Sequence, residues 1–142
     1  MSANSVIDIN TVQAFMETEY RVHGHAQLTL RVGAFCSELA ELHKASNVES
    51  SAFITACNPF SQPLDDSANT GRQASLAGEL VERNFIFIDG IGQHPSNQWP
   101  GEPSFLVLGM SLETAKTLGA NFGQNAILWS GPDAIPQLVL LR

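Results

Sequence analysis

The chain has 142 residues, 44% hydrophobic and 15% charged, and its fourteen acidic side chains against seven basic ones give a net charge of −7. A chain of this length buries roughly two-thirds of the surface its unfolded form exposes, which predicts a single domain over residues 1–142 that folds without staples. The composition excludes a disordered tail or a coiled coil, the charge makes nucleic acid an unfavourable partner, and no apolar run approaches the ~20 residues of a membrane-spanning helix.

The seven basic residues, Arg21, Arg31, Lys44, Arg72, Arg83, Lys116 and Arg142, are scattered and never cluster within one helical turn. The opening MSANSVIDINTVQAF has no cationic start followed by an apolar run, so a cytoplasmic location is the default expectation, with no membrane. In that compartment Cys36 and Cys57 read as reduced core thiols.

Residues 1–25 are expected to form an N-terminal helix or arm, because Ile9, Val12, Phe15 and Met16 recur at helical spacing between Asp8 and Tyr20, with Asn10 or Thr11 as cap. Leu28, Leu30 and Val32 then alternate with Gln27, Thr29 and Arg31, the period of a strand buried on one face. Gly33 ends it, and Phe35, Leu39 and Leu42 mark a helix finishing near Lys44 to Asn47. SAFITAC is a strand apolar on both faces, hence central in the sheet. After a proline-containing loop, Asp66 or Ser67 caps a helix whose stripe is Leu76, Ala77, Leu80 and Val81.

NFIFIDGIG is a strand that runs into glycines, and QHPSNQWPGEP, with three prolines, is a loop. SFLVLGM is a strand, Ser111 caps a helix with Leu112, Ala115, Leu118 and Phe122 inward, and Gly123 suits its left-handed stop. NAILWSG and PQLVLLR close the chain as two strands. The expected fold is therefore α/β (α+β), a layered domain with a mixed sheet. Its elements follow ferredoxin-like βαββαβ order from Ser51 onward, and an N-terminal strand and helix extend it. An alternative is a three-layer arrangement with helices on both faces of the sheet.

Chemistry is sought first in TACNPFSQ. Pro59 forces Asn58 out of the helical region, so Asn58 and Ser61 project near the carboxyl end of a strand, where open α/β sheets place ligands. The competing reading is an Asx turn in which Asn58 bonds its own backbone. In FGQNAILW the consecutive amides Gln124 and Asn125 precede a buried strand and need partners, which a loop around Asn58 would supply without any guest. His23 and His25, with His94 or Asp89, offer a metal set, but no second spaced ligand pair supports it, and His43 reads as a helix-dipole partner. Cys57, His94 and Asp89 supply the atoms of a nucleophilic triad without any local signature. DGIGQH lacks the phosphate-loop spacing and its lysine. No catalytic residue, metal or cofactor is therefore implied, and the reading leans away from an enzyme. Trp99, in a proline-rich loop, is either a binding anchor or a cap on the sheet.

FITACNPFSQPLDDSANTGRQASL, WPGEPSFLVLGMSLETAKTLGANFGQNAI and LVLLR together resemble a family of small bacterial domains of unknown function carrying TAxNPFSQ and FGQNAI motifs, over roughly residues 27–142. The resemblance implies a compact cytosolic domain with Thr55, Asn58, Pro59, Ser61, Asn69, Glu102, Ser104, Gly123 and Gln124 as motif positions, and it implies no catalytic activity. The chain departs from it at Cys57, where a bulky residue is expected. The resulting expectation is a site gathered from Asn58, Ser61, Asn69, Arg72, Glu102 and Gln124 for a small polar or nucleotide-like ligand, with Arg72 facing an anion. The alternative is a protein-interaction module, inhibitor-like or immunity-like, whose acidic surface pairs with a protein partner and whose anchor is Trp99.

Overall fold

The computed structural model describes residues 5–24, 28–96 and 100–142. In chain order the elements are α1 (Ile9–Glu17), β1 (Glu19–Val22), β2 (Thr29–Leu30), α2 (Ser37–Ala45), β3 (Ser51–Ile54), a 3-10 turn (Pro59–Ser61), α3 (Asp66–Glu82), β4 (Ile86–Gln93), β5 (Glu102–Leu108), α4 (Leu112–Asn121), β6 (Ala126–Ser130) and β7 (Gln137–Leu140). The strands make one seven-stranded sheet in the order β2-β1-β4-β5-β3-β6-β7.

All four residues of β3 are buried, and their alternation builds two cores. Ala52 and Ile54 join Phe105, Val107 and Ile127 on one face, beneath Leu76 and Leu80 of α3 and Ala115 and Leu118 of α4. Phe53 joins Leu106, Leu108 and Leu128 on the other face, where Cys36 and Leu39 cover them at α2. Helices thus lie on both faces, as in the three-layer alternative. The chain order from β3, strand-helix-strand-strand-helix-strand and then a further strand, is the expected one.

The sheet is not mixed. Every pairing among the described residues is antiparallel. An apolar run reports that both faces of a strand are covered, and helices can cover both faces of an antiparallel strand as well as a parallel one. The α3 crossover sets β3 and β4 on either side of β5, running in the same direction.

Several local expectations are corrected. Asp8, not Asn10 or Thr11, caps α1, its carboxylate accepting from the Asn10 N–H at 2.7 Å. Tyr20 belongs to β1, a strand whose two charges in four residues masked it. Leu28 and Leu30 are buried as expected, but among the described residues only Thr29–Leu30 pairs there, as a short edge strand. Phe35 is 62% exposed and precedes α2, and Val81 is 63% exposed. Asp65, one residue earlier than expected, caps α3 by accepting from the Ala68 N–H at 2.7 Å. The strand β4 runs through its glycines: a Cβ on Gly90 would lie 2.6 Å from the Arg21 carbonyl oxygen and 2.8 Å from the Phe53 ring. Bare backbone there is a packing requirement, not a turn.

Candidate functional site

The antiparallel order brings five chain segments to one end of the sheet: the carboxyl ends of β4, β3 and β7 and the amino ends of β5 and β6. The proline of TACNPFSQ stops β3 there, but Asn58 is not extended. Its φ of 49° and ψ of 62° are left-handed, and Phe60 and Ser61 follow at φ 57° and 60°. Left-handed backbone costs a non-glycine residue about 1–2 kcal/mol, so three such residues in four persist only because their surroundings hold them.

Those surroundings are side chains from three elements. Asn69, in the first turn of α3, accepts from the Asn58 N–H at 2.9 Å and donates Nδ2–H to Asn58 Oδ1 at 2.8 Å. The same Oδ1 accepts from the Leu64 N–H at 3.0 Å, and Asn58 Nδ2 donates to Glu102 Oε2 at 2.9 Å. This is no local Asx turn, because every partner lies six or more residues away. Arg72, one turn after Asn69, donates Nε–H to the Ala56 carbonyl at 2.6 Å and a terminal N–H to the Phe122 carbonyl. Gln124 Nε2 donates to the Cys57 carbonyl at 3.1 Å, and Asn125 Nδ2 donates to Ser61 Oγ at 2.8 Å. The Phe60 N–H bonds the Gly123 carbonyl at 2.7 Å, and a Cβ on left-handed Gly123 would press on Pro59 at 3.1 Å.

Asn58 and Gln124 therefore meet on the Cys57–Asn58 peptide, and Asn58, Asn69 and Glu102 form one continuous network. Ser61 joins through Asn125 rather than Gln124. Arg72 turns two of its guanidinium nitrogens to the Ala56 and Phe122 carbonyls. Trp99 and His25 lie outside the described residues.

Glu102 is the acid of the network. Burial raises its carboxyl above the ordinary value, against the lowering effect of the Asn58 bond. Opposite it on β4 is Gly92, and opposite Gly92 on β1 is Tyr20, whose ring a Cβ on Gly92 would meet at 3.6 Å. Burial, and secondarily the Glu102 charge, raises the Tyr20 phenol, whose hydroxyl donates to the Phe15 carbonyl of α1 at 2.8 Å. Sequence spacing gave no sign of Tyr20. Nor did it single out Gln73, whose Oε1 accepts from the Ala56 N–H at 2.9 Å while Nε2 is buried without a partner among the described residues.

Helix α1 crosses this end of the sheet. Before its first turn Ser5 Oγ donates to the Arg142 carbonyl at 2.8 Å, beyond β7, and at its far end Glu17 bonds His94 at 2.9 Å, beyond β4. Four strand spacings separate β7 from β4, about 19 Å, which a nine-residue helix of about 13 Å spans with its flanking residues. None of its residues is fully buried, and Val6 before it and Ile9 within it are 70% and 79% exposed.

Two other candidate groups, Cys57 and His43, are buried. Cys57 lies just past β3 and is buried, which raises its thiol pKa. His43 is not a surface dipole partner: it is buried, 2.8 Å from Ser51 Oγ, and burial lowers its pKa. Among the described residues no three His, Cys, Asp or Glu side chains stand together as a metal set. No helix there is long and apolar enough to cross a membrane.

Fold and site together define an antiparallel α+β domain whose sheet ends in a hydrogen-bonded polar network. The family model described as "Protein of unknown function (DUF3293)" matches residues 54–127, just over half of the chain, and the chain belongs to that family. The matched span contains Asn58, Ser61, Asn69, Arg72, Glu102 and Gln124, while α1, β1, β2, α2 and β7 lie outside it. No curated protein and no solved structure matches the chain.

Proposed function

We propose that the protein is a small cytoplasmic binding domain, not an enzyme, and that the Asn58–Asn69–Glu102 network with Ser61, Arg72 and Gln124 around it forms the wall of a site for a small polar or nucleotide-like ligand. The observation that carries this reading is the strained turn at Asn58–Ser61. Ordinary punctuation between a strand and a helix does not need three left-handed residues clamped from α3, β5 and the loop before β6. Strain of this kind concentrates where side chains must be held in one place for a guest. In this arrangement Arg72, Gln124 and Asn125 brace the turn, and Asn58, Asn69 and Glu102 present the polar surface. Cys57 and the His43–Ser51 pair are buried, which speaks against either serving as a nucleophile.

The test is a thermal-shift screen of the full chain against a metabolite and nucleotide library, repeated on Asn69→Ala. A compound that raises the Tm of the wild type and fails on Asn69→Ala supports the reading. A library that shifts nothing beyond error overturns it.

A second reading, a protein-interaction module, draws on one observation: Val6, Ile9 and Met16, on and beside a lightly buried helix, are all exposed. Pull-down would discriminate, since a stoichiometric partner lost on Trp99→Ala favours interaction.

A further inference from the structure

At the polar end of the sheet one acid lacks a counter-charge. Glu102 makes no ion pair among the described residues, and the only hydrogen bond to its carboxylate there is the one from Asn58 Nδ2 to Oε2, so Oε1 accepts none. Three of the donors at this end are committed elsewhere. Asn69 Nδ2 serves Asn58 and Leu64, the Tyr20 hydroxyl serves Phe15, and the Arg72 nitrogens Nε and Nη2 serve Ala56 and Phe122. The residue is half-buried and its carboxyl pKa is raised by that burial, while the unpaired Oε1 keeps contact with solvent and so stays open to a donor from outside the fold. A glutamine would accept the same bond from Asn58 without a charge, so the bond alone does not explain the acid.

The neighbourhood is shaped as well as charged. Gly92 stands directly across from Glu102, and the Tyr20 ring and the Thr18 methyl lie against it, each 3.6 Å from where a Cβ would stand. An oxygen pair with one free acceptor beside an aromatic ring is suited to a planar group with adjacent N–H donors, which a carboxylate binds through parallel hydrogen bonds. The net charge of −7 draws cations and repels phosphate, in the same direction.

We propose that Glu102 is the recognition residue of this site and takes the paired N–H edge of a small ligand, as found on a guanidinium compound or on a guanine base. The proposal rests on the ligand-site reading above and names the chemistry that site selects. Asn58 then has two tasks: it fixes one carboxylate oxygen, and through Asn69 it ties that oxygen to α3.

The test is calorimetric titration of the full chain at neutral pH with three probes: agmatine, guanosine and inorganic phosphate. The expected result is saturable binding of agmatine or guanosine and none of phosphate, with at least a tenfold loss of affinity in Glu102→Gln. Agmatine alone points to a guanidinium ligand and guanosine alone to a guanine. Glu102→Asp, which keeps the charge, should retain the preference for N–H probes over phosphate, and it serves if the glutamine variant fails to fold. Undiminished binding in Glu102→Gln, or binding of phosphate in place of the other two, overturns the proposal. If neither N–H probe binds while another library compound binds and is lost in Asn69→Ala, the proposal falls and the ligand-site reading stands. If nothing binds at all, both fall.

Discussion

Asn58 bears the largest share of the local energetics, because one side chain closes three hydrogen bonds while its backbone sits in a left-handed well. Asn58→Ala removes the bonds and keeps the unfavourable backbone, and should cost about 2–4 kcal/mol in urea denaturation. Asn58→Gly loses the same bonds but is at ease at positive φ, so it should be about 1 kcal/mol milder. Equal losses for the two variants would remove backbone strain from the account. Glu102 supplies a pH signature. Its folded pKa is raised above the ordinary 4.5, so its favourable contribution is complete below 4.5 and is lost as pH rises through the folded value. The stability of the wild type relative to Glu102→Gln should therefore fall as the pH is raised above the ordinary 4.5, measured by urea melts at a series of pH values. A difference that stays constant would contradict burial of the acid. Of these residues, Asn58 was legible because a proline follows it, and Gln124 because two adjacent amides before a buried strand must find partners. Tyr20 and Gln73 were not, since their roles arise from cross-strand and helix-to-strand neighbours that no short spacing encodes.

The elements divide by how they are held. Strands β3 and β5 are buried through most of their length, whereas α1 has no fully buried residue and is tied by Ser5, the Tyr20 hydroxyl and the Glu17–His94 pair. Such an element opens locally at low free energy. Amides of α1 should exchange with deuterium at least about tenfold faster than those of β3 and β5, and Tyr20→Phe should speed α1 further without touching the central strands. If α1 exchanges only with global unfolding, it is part of the core and not a strap across the polar end. The same division explains what could be read in advance. Helices with clear periods and side-chain caps, α3 and α4, were placed to within a residue or two. The four-residue β1 was missed, and β4 was cut short because its glycines looked like a turn when they make room for Phe53 and Tyr20.

At the scale of the whole molecule, the sheet order turns segments distant in sequence into one polar edge, with residues 58, 69, 102 and 124 joined by direct hydrogen bonds or through a shared peptide. Sequence patterning reached the helices on both faces as an alternative, yet it missed the all-antiparallel pairing, because burial on two faces is blind to strand direction. The central claim, that this edge holds a small polar ligand, is tested most directly by NMR of the nitrogen-labelled full chain titrated with the compounds that raise its Tm. The side-chain amides of Asn58, Asn69 and Gln124 report on the site themselves. The account predicts that the Asn58 and Asn69 amide signals move first and saturably, with Gln124 following. Saturable shifts confined to the outer face of α1, with those amides unmoved, would contradict it.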